Sequence, residues 1–492
     1  MSTDRHRPPA PQIDFIQGRW QSPAEALPNT LDDPNTGEFR QQQAATSTAD
    51  VARALEAAAQ LHAGGEWECA PVEVRIALLD KIADGLDRRY EEIAFEDAMA
   101  NGNPLHVAVQ MASYLGPRVR SARDQLVEVG IGRDLPAGER PVRLLRRPLG
   151  VAAVLAPWNA PTFVALAKVA SALAAGCPVI LKPSEWAPGG CQVFTEIIAQ
   201  ALDDLEFPLA VFQLVHGAAA VGSQIASDPR VRAISFTGGG AGGRAVAAAA
   251  APNFTALQLE LGGHNPAVVL GDADVDATAA ALVDGMTKLN GQWCEAPGKV
   301  LVHEALHDQL VDALLARLSA LTVGHCLDDG TDVGPLSHSA HRDHLTRRID
   351  ELVSRGGTAL TVNELPHLAG WFLAPTVVSG LDAADSTAEL FGPVISIHSM
   401  ASDEAAIAAS DGPETGLAGF VFGTDIDAAM AAAARVRAGE VRVNGCKLAD
   451  LAEESEQSFW NNAGIGGHGP TDMVRFFQGS QVIGLDAVDL PI

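Results

Sequence analysis

Residues 150–183 read GVAAVLAPWNAPTFVALAKVASALAAGCPVILKP. Gly150 to Ala156 is a short apolar run with no helical period, and Pro157 closes it. Pro178 to Leu181 is a second such run, ended by Lys182 and Pro183, and the small-residue stretch from Phe163 to Ala175 lies between them as a helix. Parallel strands need a crossover connection and are buried on both faces, so two apolar runs joined by a helix are the repeating unit of a parallel sheet. The stretch therefore predicts an α/β fold.

The pattern continues outward. Val231 to Phe236 supplies a third strand and opens into Gly238, Gly239 and Gly240. After Gly263 strand and helix alternate again, with Pro266 to Leu270 and Val300 to His303 extended and Leu306 to Leu321 an amphipathic helix, which makes a second α/β unit. Upstream, Val51, Ala54, Leu55 and Ala58, then Ile76, Leu79, Ile82 and Leu86, return mostly at spacings of three and four and predict helices between Ala49 and Ala100. Asp33, Pro34, Asn35, Thr36 and Gly37 have turn chemistry between short extended stretches. Arg140 to Arg147 and Ser480 to Leu485 read as strands outside both units, placed for use in assembly.

With 492 residues and 47 % hydrophobic content the chain can bury two or three cores. It carries 61 acidic against 34 basic side chains, a formal charge of −27, which argues against nucleic acid and anionic membranes as partners. The segment from Met1 to Gln12 is polar, and no stretch approaches the roughly 20 apolar residues of a membrane span, so neither secretion nor insertion is expected. Cys69, Cys177, Cys191, Cys294, Cys326 and Cys446 are scattered, with no CxxC pair and no Cys/His cluster at zinc-ligand spacing. A reducing cytoplasm is the expectation, and no metal is expected.

Two segments carry the chemistry: Glu260-Leu261-Gly262-Gly263, and Gly291-Gln292-Trp293-Cys294. A cysteine in a glycine-bearing, non-helical context has a backbone N–H free to support an oxyanion, and a carboxylate held near it can activate water against a thioester. That is the chemistry of oxidising an aldehyde to an acid. In order with Ala156-Pro157-Trp158-Asn159, Lys182-Pro183-Ser184-Glu185, Phe236-Thr237-Gly238 and Glu389-Leu390-Phe391-Gly392-Pro393, these segments resemble the NAD(P)-dependent aldehyde dehydrogenase superfamily over nearly the whole chain.

The resemblance implies a Rossmann-like dinucleotide-binding domain over residues 1–126 and 149–262, and a second α/β catalytic domain over 263–472 that carries the thiol. It also implies a β oligomerisation extension made of a hairpin, 127–148, and a C-terminal strand, 473–492. A homodimer or homotetramer is then expected. Cys294 corresponds to the nucleophile, Glu260 to the general base, Asn159 to the oxyanion donor and Lys168 to a lysine of a proton relay. Pro157, Trp158, Lys182, Ser184, Glu185, Gly238, Gly239, Gly243, Leu261, Glu389 and Phe391 correspond to cofactor-binding positions. The carboxylate of Glu185 would accept bonds from the adenosine ribose and repel a 2′-phosphate, which favours NAD over NADP.

The chain also departs from the family pattern. Gly239 replaces a hydroxyl residue, His264 stands where a lysine is common, and Asn103 replaces the lysine of an early Gly-Lys-Pro motif. Around Gly466-Gly467-His468-Gly469 the match loosens, Thr471 stands where a glutamate is frequent, and no acidic partner for Lys168 is evident. The substrate entrance corresponds to Ala160, Phe163, Val164, Ala167, Trp293, Glu295 and Phe459, mostly apolar with one acid, and Glu453, Glu454 and Glu456 read as a solvated loop before it. With Glu295 beside the thiol and no cationic clamp recognisable, dicarboxylic semialdehydes are expected to be poor substrates. A CoA-acylating relative would not need Glu260, a cysteine hydrolase would need a histidine at the thiol, and an inactive structural relative would keep only the fold.

Overall fold

The computed structural model describes residues 5, 7–449, 451–452, 454–469 and 472–486. Part of the N-terminal segment, with Glu453 and Thr471, lies outside them. Five parallel strands form the centre of the first sheet, in the order Phe212–Leu214, Val179–Lys182, Val151–Leu155, Val231–Gly238, Ala256–Leu261. Antiparallel strands complete its edges, with Arg19–Gln21 and Asp14–Ile16 at one end and Gly464–Ile465 at the other.

Alternation along each strand dictates the layers. Ala152, Val154 and Leu181 face the helices Val72–Asn101, Pro161–Ala175 and Gly189–Asp204, while Val151, Ala153, Leu155 and Ile180 face Thr48–Gly64 and Ala219–Ser227. The small residues of the crossover helix, Ala165, Ala172 and Ala174 among them, are fully buried and let it lie close to the sheet. The order of the strands reverses beside Val151–Leu155: the chain winds outward from it through Val179–Lys182, then returns to its other side at Val231–Gly238. Ligands of such sheets bind beyond the carboxyl ends of the strands at that reversal. The residues there are Ala156 to Asn159 on one strand and Thr237 to Gly239 on the other.

A second sheet has the order Thr358–Leu360, Thr376–Ser379, Val394–Met400, Pro297–His303, Asn265–Val269, Ala418–Phe422, Glu440–Val443, parallel except at the first pair. It is also covered on both faces, by Val275–Thr287 and His307–Leu318 on one side and by Asp403–Ala409 and Ile426–Ala433 on the other. Gln478–Gly484, Val142–Pro148 and Gly132–Asp134 form a separate antiparallel sheet, whose outer residues Val482 and Ile483 are exposed. Among the described residues no helix is long and apolar enough to cross a membrane.

Each strand read from the sequence forms within two or three residues of its expected bounds. Ala256–Leu261, which carries Glu260, was not anticipated as a strand; its polar residues Gln258 and Glu260 break the apolar run, and both are buried against polar partners. The long helix Val72–Asn101 ends at Gly102, whose φ is +78° and where a Cβ would fall 2.0 Å from the Pro335 carbonyl oxygen. Gly102→Ala is expected to cost about 2 kcal/mol or more, since it adds both backbone strain and a clash with main chain. A thermal unfolding midpoint equal to that of the parent protein would refute this.

Candidate active site

Cys294 sits on a loop that the chain bends by force of side-chain amides. Leu289, Asn290 and Gly291 are three consecutive left-handed residues, with φ of 52°, 56° and 72°. Two of these are not glycine, so the conformation is costly and must be held from outside. Asn290 Nδ2 donates to the carbonyls of Gly102 (2.8 Å) and Pro335 (3.0 Å), and its Oδ1 accepts from Gly334 N–H (2.7 Å). Gln292 donates to Asn101 O (2.9 Å) and accepts from Ser337 N–H (2.9 Å). On the other side of the thiol Asn265 Nδ2 donates to the carbonyls of Cys294 (2.8 Å) and Ala296 (2.9 Å).

Asn159, at the end of the Val151–Leu155 strand, joins the same network. Its Nδ2 donates to Gln292 O at 2.9 Å, which leaves its second N–H uncommitted to that bond. Its own carbonyl accepts from Asn101 Nδ2 (2.9 Å) and Asn103 Nδ2 (3.3 Å). Asn103, which departs from the family pattern in the sequence, is here part of the support for Asn159.

Glu260 Oε1 lies 3.7 Å from Cys294 Sγ. Its Oε2 accepts from Thr237 Oγ1 (3.2 Å) and faces His468 Nε2 (3.1 Å), and His468 Nδ1 faces Lys168 Nζ (3.1 Å). Burial disfavours the charge on Glu260, yet His468, Lys168 and Thr237 hold it below the ordinary carboxylate range. Burial pushes Lys168 down to about 8 and lowers His468 as well. The sequence had left Lys168 without a partner; the structure supplies His468, with Asp472 close enough to act on both through its charge. Nothing in the local pattern of residues 464–469 marks that histidine, because only the return of the chain beside Glu260 brings it there.

The thiol itself is protonated in this environment. Burial raises it well above its ordinary value, and the carboxylates of Glu260, Glu295 and Glu389 add to the effect. Its hydrogen bond goes to Glu260, and no histidine is bonded to it among the described residues.

Pro157, Trp158, Lys182, Ser184, Glu185, Gly238, Gly239, Leu261, Glu389 and Phe391 all border one continuous cleft that reaches Cys294. Lys182 Nζ is tied to the carbonyls of Pro183 (2.7 Å) and Gly217 (2.6 Å) and stands 4.0 Å from Glu185. The helix Gly240–Ala250 begins without a side-chain cap, and a Cβ built on Gly239 would meet nothing within 4 Å. Gly243 packs its helix against the strand, since a Cβ there would fall 2.5 Å from Leu261. Glu389 is folded onto Gly263 N–H (3.2 Å), and burial pushes its carboxyl up to about 7. Trp158 meets Phe391 edge-on at 5.4 Å and His341 at 5.0 Å.

On the far side of the thiol Ala160, Phe163, Val164 and Trp293 line an apolar passage, joined by Val107, Met111 and Leu448, which the sequence did not single out. Phe459 is buried behind Cys294 and borders the His468 ring rather than the open cleft. The sequence shows no cationic clamp, and in the structure two cations lie against rings of the passage: Arg118 is 3.7 Å over the Phe163 ring and Lys288 5.3 Å from the Trp293 ring. Glu295 Oε1 accepts from Gln457 Nε2 (2.9 Å), and burial pushes it up to about 7. The expected rejection of anionic aldehydes therefore loses its main support, since the acid is engaged and only partly ionised at neutral pH. Among the described residues no group of three or more His, Cys, Asp or Glu side chains is placed to hold a metal ion.

Comparison with known proteins agrees with this geometry. The profile described as "Aldehyde dehydrogenase family" matches residues 20–483. The geranial dehydrogenase of Castellaniella defragrans is 33% identical over 438 residues, covering 88% of this chain and 90% of that protein. The (Z)-2-((N-methylformamido)methylene)-5-hydroxybutyrolactone dehydrogenase of Acinetobacter baylyi is 29% identical over 462 residues, 92% of each. The crystal structure of betaine aldehyde dehydrogenase from Staphylococcus aureus in complex with NAD+ superimposes with a TM-score of 0.90 at 27% identity, covering 98% of this chain and 97% of that one.

Alkylation by iodoacetamide, followed on the peptide that contains Cys294, is expected to rise with pH through a midpoint above that of an ordinary thiol. Glu260→Gln removes a negative charge facing the sulfur and should lower that midpoint. An unchanged midpoint would mean that Glu260 does not face the thiol in solution.

Proposed function

This chain belongs to the aldehyde dehydrogenase family, and on that premise we propose that it oxidises an apolar aldehyde to the carboxylic acid with NAD, through a thioester on Cys294 that Glu260 helps to hydrolyse. The observation that carries the reading is the 3.7 Å approach of Glu260 Oε1 to Cys294 Sγ, beside an amide donor fixed on the carbonyl two residues before the thiol.

The proton of the thiol is lost to water in the cleft, and the sulfur adds to the aldehyde carbon. The negative charge that develops on the aldehyde oxygen is met by the second N–H of Asn159 and by the Cys294 backbone N–H. Both donors are held by the buried amides before substrate arrives, so little reorganisation is needed. A nicotinamide dinucleotide, when bound, would supply the acceptor for the hydride. Glu260 then takes a proton from water, the water oxygen bonds the thioester carbon, and the C–S bond breaks with its electron pair returning to sulfur.

The cleft fits such a cofactor. The uncapped start of the Gly240–Ala250 helix offers free N–H groups to a pyrophosphate, and Gly239 leaves it open to approach. Glu185 and Lys182 stand where ribose hydroxyls would be held, with Glu389 and Phe391 toward the thiol. In this reading residues 1–126 and 149–262 hold the dinucleotide and 263–472 supply the thiol. The exposed Val482 and Ile483 of the projecting sheet support assembly of copies through residues 127–148 and 473–492. The passage of Val107, Met111, Phe163, Val164 and Leu448 is the ground for an apolar substrate.

Rapid mixing of the protein with NAD and a panel of apolar aldehydes should give NADH in the parent and none with Cys294→Ala, which should still bind NAD. Glu260→Gln should keep a first burst of NADH and then turn over at least about 100-fold more slowly. Equal loss of both phases would remove Glu260 from the role of base.

Binding of the two dinucleotides, measured by calorimetry without aldehyde, should favour NAD over NADP. Glu185→Ser should narrow the ratio of dissociation constants about tenfold, about 1.4 kcal/mol of relieved repulsion. Preference of the parent protein for NADP would contradict the assignment.

A further inference from the structure

Glu260 is held asymmetrically. Oε1 looks toward Cys294 Sγ, while Oε2 takes a bond from Thr237 Oγ1 and stands 3.1 Å from His468 Nε2. The second nitrogen of the imidazole is 3.1 Å from Lys168 Nζ. An ammonium group can only donate, so Nδ1 accepts and the ring proton lies on Nε2, aimed at the carboxylate. The ring is itself fixed. Gly467–His468 pairs with Gln457–Ser458, and Gln258 Nε2 donates to Gly467 O (2.8 Å) and Asp472 O (2.7 Å). Phe459 meets the ring edge-on at 4.9 Å.

We propose that His468 is the positioning residue of the general base: its Nε2–H holds Oε2 of Glu260, so that Oε1 alone is presented to the thioester and the attacking water, and its Nδ1 couples the Lys168 charge to that carboxylate. The proposal rests on the reading of Glu260 as base. When water attacks, its proton goes to Oε1 and its oxygen to the thioester carbon, sulfur keeps the electron pair of the broken C–S bond, and the bond from His468 to Oε2 is unbroken throughout. A carboxylate free to rotate would present either oxygen and lose the aligned geometry for part of the time.

The titratable groups around the ring are Lys168 from the Pro161–Ala175 helix, Arg118 from the Leu115–Val129 helix, Glu260 from its strand and Asp472 from the C-terminal segment. Burial and the two cations lower His468, and the carboxylate of Glu260 opposes them. Burial and the cations favour the neutral ring, and the neutral and the protonated ring alike carry a proton on Nε2 that can be donated to Glu260. Removing it takes away a bond that favours the ionised carboxylate, so Glu260 should titrate at higher pH and the acid limb of hydrolysis should move up.

The test uses p-nitrophenyl acetate, which acylates the thiol and releases a chromophore without any cofactor, so that burst and steady state report acylation and deacylation separately. His468→Phe, which has no N–H, should keep the burst amplitude while the steady-state rate falls about 10- to 100-fold and its acid limb moves to higher pH. His468→Gln, whose amide can donate to Oε2, should recover the rate to within about threefold and return the limb. If His468→Phe does not fold, His468→Asn carries the same comparison, because its shorter amide stops short of Oε2. Equal loss of burst and steady state, a steady-state rate unchanged in His468→Phe, or no difference between the Gln and Phe variants would overturn the positioning role. Absence of any burst in the parent protein would instead overturn the covalent reading of Cys294, and this proposal with it.

Discussion

The site depends on a set of buried amide side chains that bonds one sheet to the other. Asn290 and Gln292 are fully buried and spend their donors and acceptors on main-chain groups of residues 101, 102, 334, 335 and 337, and Asn159 closes the circuit on the Gln292 carbonyl. Buried amides bonded in this way are rigid, because breaking any one bond leaves a polar group in a low dielectric with no water to replace it. That rigidity sustains three left-handed residues in succession before the thiol. It also fixes the thiol against a donor carried by a different sheet, a relation that neither sheet could impose alone.

Charge is the second constraint. Desolvation, with the three carboxylates of Glu260, Glu295 and Glu389, keeps the partly buried sulfur a thiol. The environment separates them. Glu260 stays ionised through Thr237, His468 and Lys168, whereas burial brings Glu295 and Glu389 up to about 7. One acid among three is thus a ready base, and the other two are held by Gln457 and by the Gly263 N–H. A site that made all three fully anionic would oppose both the thiolate and the alkoxide derived from it.

Much of this was legible in the chain itself. The apolar runs at 150–156 and 178–181 could only be buried strands, since their length is too short for a helix and their composition leaves no polar face. The glutamate, the cysteine and the asparagine could be assigned together because each sits in a segment with its own glycine, proline or aromatic signature. Less legible were residues whose meaning is only spatial. Asn101, Asn103, Asn290 and Gln292 are ordinary polar residues in sequence, and Gly243 sits in a phosphate-side pattern although its missing side chain serves the contact with Leu261.

The sequence by itself determined the two α/β units and brought Cys294, Glu260 and Asn159 forward as candidates, because periodicity and local motifs are properties of neighbouring residues. The tertiary structure alone decided which groups complete the site. His468 lies 208 residues along the chain from Glu260 and reaches it through the antiparallel pairing of Gly464 with Glu260 at the sheet edge. Arg118 borders the apolar passage beside the thiol because its helix packs beside the crossover helix that carries Phe163 and Lys168. Such contacts follow from how strands are ordered and helices layered, and no local pattern of residues records that order.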